Sequence, residues 1–134
     1  MDDSLATLHI AVSQWFWRMA TEAVRIRSND TYRSEILADV VSEIARVTPE
    51  PKCRTALLRK HFEMIPSAGP IEIELRISSD VADIIENVAV LIENQLGMKA
   101  SNADAISLLL YDFIASRHTT KILEAIDDEP RALN

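Results

Sequence analysis

Hydrophobic positions in the first half of the chain recur mainly at intervals of three and four. Leu5, Leu8, Val12, Trp15, Met19 and Ala23 form one such row, the spacing of an amphipathic helix face, and Ser4 is placed to cap its start. Trp15, Phe16 and Trp17 are consecutive, so at least one ring must point away from that face. Ser28-Asn29-Asp30 interrupts the pattern and offers N-cap residues for a second helix. That helix carries Ile36, Leu37, Val40, Val41, Ile44 and Val47 on one side. Thr48-Pro49-Glu50-Pro51 ends it, because proline cannot continue a helix and restricts the residue before it. A short basic helix is expected next, with Leu57, Leu58, Phe62 and Ile65 inward. Pro66-Ser67-Ala68-Gly69-Pro70 then gives the clearest linker signal in the chain.

After the linker the period drops to two. Ile71, Ile73, Leu75 and Ile77 alternate with Glu72, Glu74, Arg76 and Ser78, the pattern of a half-buried strand. No second strand is expected elsewhere, and a lone strand cannot satisfy its own N–H and C=O groups. Pairing with the same strand of a second molecule is the economical solution. Ser78 or Ser79 then caps a helix bearing Val81, Ile84, Ile85, Val88, Leu91, Ile92 and Leu96. Gly97 stops it in the left-handed region. Ser101-Asn102-Ala103-Asp104 fits a capping box with Asp in the usual Glu position. The next helix carries Ile106, Leu108, Leu109, Leu110, Phe113 and Ile114, and Thr119–Ile126 is expected as a last short helix.

The expected architecture is therefore mainly α: a helical N-terminal region over 1–65, a linker at 66–70, a strand–helix–helix unit over 71–126 and an acidic tail over 127–134. The dimer core would comprise Ile71, Ile73, Leu75, Ile77, Ile84, Val88, Ile106, Leu110 and Phe113, on either side of an intermolecular two-stranded antiparallel ribbon.

Composition changes this picture little. Hydrophobic residues make up 48% of 134, with two glycines and five prolines, which points to a folded, helix-rich chain rather than disorder. No run approaches the roughly 18 apolar residues of a membrane helix, and the start Met1-Asp2-Asp3 is acidic where a signal peptide would be basic. Cys53 is the only cysteine, which agrees with a reducing, cytoplasmic setting. Charge matters more. The net charge is −7, and the one local excess of cations is Lys52, Arg54, Arg59 and Lys60. Nucleic-acid binders are generally basic somewhere, because phosphate neutralisation supplies most of their non-specific affinity.

Ile71-Glu72-Ile73-Glu74-Leu75-Arg76-Ile77-Ser78 and Gly97-Met98-Lys99-Ala100-Ser101-Asn102-Ala103-Asp104-Ala105-Ile106 together resemble the ribbon-helix-helix (MetJ/Arc-like) DNA-binding family, over residues 71–117. The resemblance implies a homodimer whose paired strands enter the major groove of double-stranded DNA. Carried over by position, Glu72, Glu74 and Arg76 would face base edges. Lys99, Ser101 and Asn102 would hold a phosphate at a helix start, and Lys52, Arg54, Arg59 and Lys60 would form an auxiliary basic patch. Two glutamates on the reading face depart from the family's usual basic or neutral side chains.

No enzyme chemistry has a visible seat. His9, His61 and His118 lie on separate segments without ligand spacing, so no metal site is expected. No serine is framed as a nucleophile elbow, two glycines cannot build a phosphate loop, and no cofactor is expected. Two functions follow. One is a dimeric DNA-binding regulator: a transcriptional repressor, an antitoxin-type autoregulator or a plasmid-transfer accessory protein. The other is an acidic, non-enzymatic interaction module, such as an inhibitor, immunity or antitoxin-like protein, which covers a basic partner protein with Trp15 and Trp17 as anchors.

Overall fold

In the computed structural model, which describes residues 4–128 (side chains through 118), the alternating segment is a strand with a partner in its own chain. The elements are β1 (Leu5–Val12), α1 (Gln14–Thr31), α2 (Leu37–Val47), α3 (Thr55–Met64), β2 (Ile71–Ser78), α4 (Ser79–Leu96) and α5 (Asn102–Asp128). The protein is mainly helical with one two-stranded antiparallel sheet, β1 against β2. The expectation that β2 finds its ladder partner only in a second molecule is thus overturned.

The cause is an ambiguity in residues 5–12. Leu5, Leu8 and Val12 satisfy helical spacing, but Ala6, Leu8, Ile10 and Val12 also alternate with Thr7, His9 and Ala11. The second pattern wins. Ala6, Leu8, Ile10 and Val12 face Ile77, Leu75, Ile73 and Ile71 across the ladder and turn toward the helices. Ser13, not Ser4, caps the first helix: its hydroxyl accepts the Phe16 N–H at 3.1 Å. Cross-strand apolar pairs and eight residues of ladder outweigh the alternative of extending α1 backward.

Other boundaries also move. Ser28-Asn29-Asp30 lies in the last turns of α1 rather than before α2. Ser28 instead accepts the Glu35 N–H at 3.1 Å and so closes the turn between the helices. Beyond Asn102 there is one continuous helix to Asp128, not two, because no Pro or Gly interrupts it. The Ser101–Asp104 capping box is present in both directions, at 2.9 and 3.1 Å. Of the expected acidic tail, residues 129–134 lie outside the described residues.

The second half repeats the first at a constant offset of 65 residues. α1 and α4 are both 18 residues long and begin at Gln14 and Ser79. Each ends in a left-handed residue, Tyr32 (φ 56°) and Gly97 (φ 70°). α2 and α5 begin at Leu37 and Asn102. The Ser28–Glu35 staple recurs as Glu93 accepting the Ala100 N–H at 3.0 Å. Buried positions repeat too: Phe16 with Val81, Ala20 with Ile85, Ala23 with Val88, Val40 with Ala105, Val41 with Ile106, Ile44 with Leu109 and Ala45 with Leu110. The offset also carries the ribbon register onto itself, since Thr7 faces Arg76, His9 faces Glu74 and Ala11 faces Glu72. A pseudo-twofold axis therefore passes between His9 and Glu74.

Packing across that axis is exchanged. α1 lies on α5 and α2 on α4, while α2 covers β2 and α5 covers β1. One hydrophobic core runs through both halves; of the residues expected to form a dimer core, Leu75, Ile77, Val88, Ile106 and Leu110 belong to it, and Ile71, Ile73, Ile84 and Phe113 are partly buried against it. Pro66–Pro70 is accordingly a joint inside one core, not a boundary between two. Ser67 accepts the Ser13 N–H, and Ala68 bridges to Val12.

Among the described residues, the part of α5 beyond residue 112 has no counterpart in the first half, and the second half has no separate helix matching α3. α3 rests on α4 and covers α5, where buried His61 bonds Ser107 at 3.0 Å. This explains why Leu108 and Tyr111 are apolar or aromatic where the first half has exposed Glu43 and Arg46.

The paired left-handed stops give a clean test. Tyr32 occupies a conformation that costs an ordinary residue about 1–2 kcal/mol, and its side chain is 93% exposed, so little packing is lost on removing it. Tyr32→Gly is expected to raise stability by about 1 kcal/mol in urea denaturation. A loss of stability would show that the ring does more than the backbone strain costs.

Candidate nucleic-acid interface

The period of two that buries one row of each strand exposes the other. Leu5, Thr7, His9 and Ala11 alternate outward on β1, and Glu72, Glu74 and Arg76 do so on β2. The expected reading residues Glu72, Glu74 and Arg76 are thus together on one open face. Thr7, His9 and Ala11 complete it; a helical reading of residues 5–12 hides them, although Thr7 and His9 already break the apolar row. Arg76 contacts Glu74 at 3.7 Å. Both are well exposed, so the pair is weak.

The two ends of this ribbon differ in their flanks. At the Ala11–Glu72 end α1 begins, with Phe16 buried while Trp15 and Trp17 each remain 45% exposed. The Arg18 guanidinium lies 5.2 Å from the Trp15 ring, a cation–π contact. The two indoles thus lie outside the core, in the first turn of the helix that follows β1. At the Thr7–Arg76 end α4 begins with Asp80 and Asp83. Arg46 of α2 reaches across to Ser78 at 3.0 Å and to Asp80 at 3.5 Å. The Ser78 hydroxyl first, and Arg46 second, hold the Asp80 carboxyl below its ordinary range.

The other predicted groups sit at the turns between paired helices. Lys99, Ser101 and Asn102 are exposed at the start of α5, but the capping box already engages the Ser101 and Asp104 N–H groups. The matching start of α2 has no side-chain cap. There, Arg33 pairs with Glu35 at 3.3 Å. Lys52, Arg54, Arg59 and Lys60 are all exposed. Gln95, in the last turn of α4, donates to the Cys53 carbonyl and to Thr55. That tie brings the start of α3 to the same end of α4 as Lys99, and away from the strand that α4 follows.

Burial also shifts titratable groups that lie away from the ribbon. His61 is buried beside Phe62 and Tyr111, and burial lowers its pKa despite the opposing pull of Asp104. Burial raises the Cys53 thiol, with Asp112 adding to the shift, which disfavours the reactive thiolate. Among the described residues no group of His, Cys, Asp and Glu side chains is placed to hold a metal ion, and no helix is long and apolar enough to cross a membrane. Comparison with protein-family models gives no match, and comparison with curated proteins and with solved structures gives none either.

Proposed function

We propose that this chain is a non-enzymatic DNA-binding regulator built as a single-chain ribbon-helix-helix unit, in which the N-terminal half takes the place of the second subunit. One observation carries the reading. Two strand–helix–helix halves, 65 residues apart, exchange their second helices around a shared antiparallel ribbon whose outer row is open. A two-stranded ribbon of this kind fits the major groove, where its outward side chains meet base edges. Exposed Lys99, beside the start of α5, is suited to a phosphate. The resemblance first confined to residues 71–117 then extends to both halves. A homodimer is no longer needed to complete the ribbon. The role implies a cytoplasmic location, and repressor, autoregulator and transfer-accessory duties all suit it.

Charge supports a second reading. Glu72 and Glu74 on the open face, in a chain of net charge −7, suit a basic protein partner, with Trp15 and Trp17 as edge anchors. Binding of the full chain to random-sequence duplex DNA separates the two. The DNA reading expects retention at about 50 mM salt that falls steeply by about 200 mM. If no duplex is retained at the lower concentration, the acidic interaction module is the better account.

A further inference from the structure

We infer that the ribbon recognises a DNA site without dyad symmetry, with Arg76 and Thr7 reading one end and Glu72 and Ala11 the other. This rests on the DNA-binding reading and adds to it the kind of site and the residues that set it. A ribbon made from two identical strands presents the same side chains at both ends, so its site is a palindrome. Here the two strands are different sequences held in one chain. The pseudo-axis lies between His9 and Glu74, and the offset that relates the halves pairs Thr7 with Glu72, His9 with Glu74 and Ala11 with Arg76. None of these three pairs is conserved in chemistry.

The cross-strand register turns that difference into a polarity along the groove. One end carries a guanidinium beside a hydroxyl, Arg76 opposite Thr7. The other carries a carboxylate beside a methyl, Glu72 opposite Ala11. All four are exposed. An arginine presents two parallel donors to guanine O6 and N7, whereas a carboxylate can only accept, as from the cytosine amino group, and a methyl suits the thymine methyl. The exposed Arg76–Glu74 contact is too weak to hold the guanidinium from a base. The flanks differ in the same sense: Trp15, Trp17 and Arg18 border the Glu72 end, and Asp80 and Asp83 border the Arg76 end. One half therefore cannot substitute for the other on the same bases.

Selection from a randomised duplex library with the purified full chain at about 50 mM salt tests this. The expected product is a non-palindromic sequence with guanine preferred on one side of its centre. Arg76→Ala should erase that preference by about tenfold or more while leaving the other side unchanged. The double variant A11R/R76A moves the guanidinium to the equivalent position of the other half. It should shift the preferred guanine to the opposite side of the centre, next to the base selected near Glu72. Both substitutions are at exposed ribbon positions, and an unchanged thermal melt confirms that each variant is folded. A palindromic product, retention without sequence preference, or a guanine that ignores both variants overturns the inference and leaves DNA binding standing. Failure to retain any duplex removes the DNA reading itself, and this inference with it.

Discussion

Expressed separately, residues 1–65 and residues 66–134 are each expected to be unfolded as monomers, and an equimolar mixture is expected to recover the helical circular-dichroism signal of the intact chain. The reason is the exchange of helices. β1 takes its ladder from β2, and its inner row is covered by α5; β2 is covered by α2. Cut between Ile65 and Pro66, each half keeps a strand with eight unpaired residues and two helices that retain only their packing on each other, α1 on α2 and α4 on α5. Val40, Val41, Ile44 and Ala45 on one fragment, and Ala105, Ile106, Leu109 and Leu110 on the other, would lose the cover that the opposite half provides. A single strand with two helices of this size cannot offset its conformational entropy. Recovery on mixing should depend on concentration, because a joint within one chain becomes an association between two. A cooperative thermal transition in either fragment as a monomer would sink the exchange argument and restore 66–70 as a domain boundary.

Gly69→Ala is expected to be the most damaging single-methyl substitution in the chain, lowering stability by roughly 3 kcal/mol and the melting temperature by about 10 °C. A Cβ there would stand 2.4 Å from Ser13 Cα, 2.6 Å from Ser13 N and 2.6 Å from the Val12 oxygen. Those are backbone atoms at the end of β1, so no side chain can swing aside. The segment cannot retreat either: the Gly69 N–H donates to the Ala11 carbonyl at 3.2 Å, and Ser67 accepts the Ser13 N–H at 2.9 Å. Gly97→Ala is the control. Nothing lies within 4 Å of its Cβ position, and only its positive φ is penalised, at about 1 kcal/mol. Equal losses in the two variants would show that the close approach at Gly69 is not what its glycine serves.

The internal repeat was not legible as a repeat of letters. Across the offset, identity between residues 13–47 and residues 78–112 is confined to Ser13/Ser78, Asn29/Asn94, Ala38/Ala103, Asp39/Asp104 and Ser42/Ser107. What recurs is the role of a position: an N-cap, a left-handed stop, a buried helix face. Different residues fill each role, as when Ser28 and Glu93 close the same turn through different acceptors. Sizes even trade across the axis, with Ala20 answering Ile85 but Val40 answering Ala105, because the exchanged core needs its total volume filled and not each half matched.

Local chemistry was enough for β2, α2, α4 and the start of α5. An unbroken alternation, a proline stop, a glycine in the left-handed region and a reciprocal capping box each act within a few residues, so their effect can be read without knowing the neighbours. The outward row Glu72, Glu74 and Arg76 followed from the same alternation. Residues 5–12 were different, because their apolar spacing satisfies a helix and a strand alike and no local term separates the two. Only the presence of β2, some 65 residues away, resolves them, by offering a ladder and a facing row of isoleucine and leucine. With that pairing came the other half of the ribbon face, the pseudo-axis and the unequal ends.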